Sequence, residues 1–153
     1  MSKIIYITGD LILSDEPTIL HGCNAQGKMG SGFALQIRNN YPDAYKTYIK
    51  YYNECGLITG LIIPAISNNK IILNAISQDK YGYDKKVYVD YQALYKIFRD
   101  LNKYGDIFDN RIAMPLIGSG LAGGSWKIIS EIIEMESINY TPIVYTLDGI
   151  IPD

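Results

Sequence analysis

The chain has 153 residues, 48% hydrophobic and 20% charged, the balance of a folded domain rather than a disordered segment, and the length suits one domain over 1–153. Its net charge of −2 argues against broad electrostatic capture of nucleic acid or of an anionic membrane. A local site for one small anion is not excluded by so small a net charge.

Lys3 to Thr8 is a β-branched and aromatic run that stops at Gly9-Asp10 and reads as a first strand. Thr18 to Cys23 is a second. Past Gly27, Gly30 and Gly32, a helical pattern starts at Ser31, carries Phe33, Ala34 and Ile37 on one side, and ends near Asn39-Asn40. Pro42 suits the first turn of a further helix, where its missing N–H costs nothing; Tyr45, Tyr48, Ile49 and Tyr52 mark the buried stripe and Gly56 closes it. Leu61–Ile66 and Lys70–Ile76 flank Asn68-Asn69 as adjacent strands with a tight turn, and Ser77 to Lys86 reads as a polar loop. Tyr91, Leu94, Tyr95, Phe98 and Leu101 then share one helical face, with Asp90 placed to cap it. Arg111–Leu116 is another strand, Gly118–Gly124 a second glycine-rich turn, and Ser125 opens a helix burying Ile129, Ile132 and Ile133. Thr141–Leu147 is the last strand. Strands interleaved with helices, plus one hairpin, predict an α/β fold: a mixed sheet sandwiched between helices.

The cysteines, Cys23 and Cys55, form no CxxC pair and His21 is the only histidine, so a zinc site lacks ligands; no metal or cofactor is expected. The thiols read as reduced, in a cytoplasmic protein. The opening Met1-Ser2-Lys3 precedes an apolar run too short for a signal peptide, and no run approaches the ~18 residues of a membrane span.

Three features fall where strands end and helices begin, the place where open α/β sheets bind ligands. They are Gly9-Asp10-Leu11, the stretch from His21 to Ala34, and the stretch from Pro115 to Trp126. Glycines let the backbone approach a ligand closely, and N–H groups at a helix start carry partial positive charge, so two such loops on one face suit a diphosphate without basic side chains. Gly118-x-Gly120-x-x-Gly123, with Asp148 further on, also matches the dinucleotide fingerprint, which keeps an NAD-dependent oxidoreductase as a weaker alternative; too little chain follows Asp148 to build a second mononucleotide half.

The ordered set Ile7-Thr8-Gly9-Asp10-Leu11, His21-Gly22-Cys23-Asn24-Ala25-Gln26-Gly27, Met29-Gly30-Ser31-Gly32-Phe33-Ala34, Met114-Pro115-Leu116-Ile117-Gly118-Ser119-Gly120-Leu121 with Trp126, and Val144-Tyr145-Thr146-Leu147 resembles the macro domain family over nearly the whole chain. It looks closest to the ADP-ribose-1''-phosphate phosphatase-like branch, with the terminal ADP-ribose protein glycohydrolase branch as kin. The resemblance implies a three-layer α/β/α domain around a mixed sheet that binds ADP-ribose or a derivative. It implies that Asp10 and the Leu11 backbone hold the adenine, that Gly30, Ser31, Gly32 and Phe33 face Gly118, Ser119, Gly120 and Leu121 across the diphosphate and distal ribose, and that Tyr145 and Leu147 flank the base. Tyr145 is alternatively an ordinary buried strand aromatic.

Three residues are the catalytic candidates. His21 is expected to act as an acid/base titrating near pH 6–7, or to be structural. Asn24 faces the distal ribose, or holds the loop backbone. Lys28 neutralises ligand charge, or is a solvated lysine. The glycohydrolase branch carries an aspartate where this chain has Ala122, which cannot act as acid, base or nucleophile. The first loop is also shorter than the asparagine-rich loop of larger macro domains. Two functions therefore stand: hydrolysis at the 1'' position of an ADP-ribose derivative, or a non-catalytic reader of ADP-ribose or of an ADP-ribosylated macromolecule.

Overall fold

A computed structural model describes every residue from Met1 to Asp153. Six strands form one sheet: β1 (Ile5–Thr8), β2 (Thr18–Asn24), β3 (Ile62–Ser67), β4 (Lys70–Gln78), β5 (Arg111–Met114) and β6 (Thr141–Thr146). Their order is β1-β6-β5-β2-β4-β3, parallel throughout except for the antiparallel edge strand β3. Four α-helices accompany them: α1 (Gly32–Asn40), α2 (Pro42–Cys55), α3 (Tyr91–Asp100) and α4 (Trp126–Glu136). The expected mixed-sheet α/β architecture is observed.

Period-two alternation decides which side chain meets which helix layer. Ile19, Ile72, Ala113 and Ile143 pack with Ile37, Tyr41 and Ala44 of the α1–α2 layer. Their neighbours Leu20, Leu73, Met114 and Val144 pack with Leu94, Phe98, Trp126 and Ile132 of the α3–α4 layer. Both faces of the central strands are buried, which is why these strands read as continuous apolar runs. Trp126 is buried and its indole N–H donates to Tyr6 Oη at 3.0 Å, so the polar end of the largest core side chain is satisfied.

Several boundaries differ from the sequence expectation. β5 ends at Met114 because Pro115 has no N–H to give the ladder. A 3₁₀ turn, Leu11–Leu13, follows Asp10, and a 3₁₀ segment, Leu101–Phe108, continues from α3 with a break at Tyr104; the sequence pattern announces neither. β4 runs through Ser77 and Gln78, although those residues read as loop. Its pairing with β2 steps from Cys23↔Ile76 to Asn24↔Gln78, so Ser77 is the extra residue of a β-bulge.

Because β1, β6, β5, β2 and β4 run in one direction, their C-terminal ends share one edge. Asp10, Leu147, Pro115, Asn24 and Ser77 therefore converge on one rim although they are scattered in sequence.

Candidate functional site

Two cavities open along that rim and share Phe33, Pro115 and Leu116, so they form one groove. One end, about 260 Å³, is bounded by Gly9, Asp10, Leu11, Tyr145 and Leu147. Asp10 is exposed and caps the 3₁₀ turn, with Oδ1 accepting from Ile12 N at 3.0 Å while Oδ2 has no partner in the chain. Leu147 is 75% exposed. Tyr145 is half-buried: its ring borders the groove, while its hydroxyl donates to Glu16 Oε2 at 2.6 Å. Glu16 in turn accepts from Arg111 Nε and Nη2, both at 2.6 Å, and that bidentate pair holds the Glu16 carboxyl below its usual range. Tyr145 therefore lines the groove with its ring and is anchored in the strand by its hydroxyl.

The middle of the groove is backbone. Ser31 is the N-cap of α1 but makes no side-chain capping bond, and no acidic residue occupies the first turn, so the leading N–H groups of α1 keep their donors free. Gly30 and Ser31 N–H likewise have no acceptor in the chain. Opposite, the second loop closes on itself through Gly123 N–H to Gly120 O (3.0 Å) and Gly124 N–H to Gly118 O (2.8 Å). That closure leaves the N–H groups of Gly118, Gly120, Leu121 and Ala122 unpaired. Gly118 sits at φ +79°, and a methyl there would lie 2.9 Å from Val89 Cγ2, so only glycine fits. A methyl on Gly32 would lie 3.7 Å from Leu121 Cδ1, which places the tips of the two loops against each other. The Ser119 hydroxyl is spent inside its own turn on Leu116 O at 2.9 Å.

The other end is a pocket of about 180 Å³ lined by His21, Gly22, Cys23, Asn24, Lys28 and Ser77, among others, with no carboxylate on its wall. Here the structure corrects two expectations. His21 is 1% exposed, and burial pulls its imidazole from 6.5 down to about 4, against the opposing effect of its bond to Asn74. The expected titration near pH 6–7 is therefore wrong: the ring is neutral there. Asn74 Nδ2 donates to Ala44 O at 3.1 Å, which turns Asn74 Oδ1 toward His21 Nε2 at 2.6 Å and places the ring proton on Nε2. Asn24 does not present a free amide to the groove. Its Nδ2 donates to Lys28 O (2.9 Å), and its Oδ1 accepts from Gln26 N (3.0 Å), Lys28 N (3.4 Å) and Tyr48 Oη (3.1 Å), so it stitches the loop together. Burial also pushes the Cys23 thiol up, leaving it protonated. Lys28 is exposed at the pocket wall.

Sequence reasoning misses Ser77 because it falls in an apparent loop; Pro115 and Leu116, at the head of the second glycine-rich stretch, do reach the groove, where they line both cavities. A larger groove of about 650 Å³ between β3 and the 101–108 segment is almost wholly apolar and offers nothing for a diphosphate. No group of His, Cys, Asp or Glu side chains is arranged to hold a metal ion.

A family model described as Macro domain matches residues 20–133. The chain belongs to the macro domain family. Over 96% of its length this macro domain is 26% identical to all of an ADP-ribose 1''-phosphate phosphatase from Saccharomyces cerevisiae. It is also 26% identical, over 84% of its length, to a DNA ADP-ribosyl glycohydrolase from Mycobacterium tuberculosis, of which it spans 37%. Among solved structures, the macrodomain of Mycobacterium tuberculosis DarG superposes with a TM-score of 0.78 at 20% identity, covering 95% of this chain and 98% of that one. The sheet order β1-β6-β5-β2-β4-β3 differs from the 3-2-1-4-5-6 order of the dinucleotide-binding fold, so the GxGxxG match lacks the structural context that it needs.

Proposed function

We propose that this macro domain binds ADP-ribose along the rim groove and hydrolyses a derivative at its 1'' position, ADP-ribose-1''-phosphate first among them. The observation that carries the reading is the pair of facing sets of free N–H groups, Gly30 to Phe33 and Gly118, Gly120, Leu121 and Ala122, set between a free carboxylate oxygen at Asp10 and a pocket without carboxylates at His21. Such donors hold a diphosphate without lowering the protein's overall acidity. Asp10 Oδ2 accepts the adenine amino proton, Tyr145 and Leu147 flank the base, and the terminal ribose enters the far pocket. The full-length similarity to a named phosphatase supports the enzymatic reading, and the named glycohydrolase supports hydrolysis at the same 1'' position. The two strands wholly outside the matched segment, β1 and β6, pair into the sheet and bring Asp10 and Tyr145 to the groove, which favours taking 1–153 as one macro domain.

The chemistry asked of the chain is positioning and electrostatic hold. Loop N–H groups and the Lys28 ammonium stabilise developing negative charge. Neutral His21 holds its Nε2 proton on Asn74 and its Nδ1 beside the Cys23 thiol at 3.8 Å, so it brings no acidic proton at neutral pH. A reader without turnover remains as the second reading; it is favoured by a pocket with no carboxylate and with Ala122, whose carbonyl is committed to Tyr88 N–H at 2.7 Å. An ADP-ribosylated macromolecule is then the partner. Free thiols at Cys23 and Cys55 favour a reducing, cytoplasmic setting, and no helix is long and apolar enough to cross a membrane. Incubation with ADP-ribose-1''-phosphate and with ADP-ribosylated acceptors tests the proposal. Release of free ADP-ribose supports the enzyme; binding without release on every substrate selects the reader.

A further inference from the structure

Ser67, Ser77 and Ser137 bury hydroxyls that have no hydrogen-bond partner in the chain. Only Ser77 lines the groove. An orphaned buried hydroxyl is costly, on the order of 1–3 kcal/mol, so one that persists beside a pocket calls for a partner from outside the chain.

The backbone puts Ser77 there in three ways. It is the bulged residue of β4, and a bulge re-aims the side chain it carries. The bulge is clamped on its far side, where Ser77 O accepts from Asp90 N at 2.8 Å and Gln78 bridges Val89. On the near side β2 leaves room by having glycine at 22: a methyl there would stand 2.5 Å from Ser77 Oγ and 3.3 Å from Ile117 Cγ1. Any side chain at 22 would displace the hydroxyl. Ser77 and Gly22 are therefore a matched pair that keeps one unpaired hydroxyl buried beside the pocket that both residues line.

The chemistry of that wall selects the partner. The neighbouring imidazole is neutral, the Cys23 thiol is protonated, and no carboxylate lines the pocket. The pocket, about 180 Å³, is lined by both glycine loops as well as by His21, Gly22 and Ser77, so a group held at Ser77 lies next to the diphosphate donors, where the terminal ribose follows in the ligand. A serine hydroxyl both donates and accepts, which matches a sugar hydroxyl.

We infer that Ser77 Oγ hydrogen-bonds a hydroxyl of the ligand's terminal ribose and so makes this end of the groove selective for the sugar. The inference rests on the ADP-ribose reading and refines it. Calorimetry with ADP-ribose and with ADP, which lacks the terminal ribose, tests it on wild type and Ser77→Ala, alongside melting of the ligand-free proteins. The variant is expected to bind ADP-ribose roughly threefold to tenfold more weakly, the size of one neutral hydrogen bond, and ADP as before. Its ligand-free melting temperature is expected to stay level or rise, because an unpaired buried oxygen has been removed. Equal losses for both ligands, no loss, or a lower melting temperature would overturn the role of Ser77. Wild type that binds neither ligand would overturn the groove reading itself, and Ser77 with it.

Discussion

Acid titration probes the pocket's electrostatics through the chain's single histidine. In the unfolded chain His21 takes up a proton as pH falls past 6.5; in the folded chain burial delays uptake to about 4. A base whose folded pKa is depressed leaves stability intact above 6.5 and erodes it between 6.5 and about 4. At about 1.4 kcal/mol per pH unit, that gap is worth about 3 kcal/mol. Glu16, held below its usual 4.5 chiefly by Arg111, adds a separate loss that starts only below 4.5. Urea unfolding from about pH 7.5 down to 4 should therefore show wild type losing about 3 kcal/mol more than His21→Gln. Glutamine keeps an N–H for Asn74 Oδ1 and does not titrate. Parallel stability curves for the two proteins would refute the reasoning, as would an imidazole NMR midpoint near 6.5. The same argument predicts that any rate measured between about pH 5.5 and 8 carries no limb from His21.

Other consequences concern the ligand. Asp10→Asn keeps the cap on Ile12 N–H but replaces a free acceptor with a donor, so ADP-ribose affinity should fall by about 1.5–3 kcal/mol in calorimetry while an inosine-type analogue loses little. Affinity for the adenine form unchanged in this variant would contradict the adenine assignment. A methyl added at Gly120 would meet nothing within 4 Å, and the backbone there does not take a positive φ. Gly120→Leu should therefore melt within about 0.5 kcal/mol of wild type yet lose ADP-ribose binding, because its side chain fills the groove. Retained binding would place the diphosphate elsewhere.

What was legible in the sequence was local. The apolar runs Thr18–Cys23 and Lys70–Ile76 and the glycine loops declare strands and backbone cradles because two-residue alternation and missing Cβ atoms are properties of short segments. Where a strand-end side chain points is not local. His21 looks like a histidine at the mouth of a loop, but β4 and α2 close over it through Asn74 and Ala44, residues far along the chain. Ser77 is hidden for the same reason: a bulge is defined by the register with β2, which no reading of 70–78 alone contains. Asn24 is mostly the opposite case: its bonds to Gln26 and Lys28 are local, and an asparagine ahead of a glycine turn already suggests such stitching, while only the bond from Tyr48 of α2 comes from a distant element. The GxGxxG match misleads because its glycines serve a turn that closes on itself before α4 begins.

The most direct test of the central claim, that facing N–H rows make the rim groove an ADP-ribose site, is calorimetric titration of the wild-type chain with ADP-ribose and with NAD. The account predicts micromolar ADP-ribose binding, on the order of −7 to −9 kcal/mol, and weaker binding of NAD, whose nicotinamide must fit the same small pocket as well. NAD binding as tightly as ADP-ribose, or no ADP-ribose binding at all, would contradict it.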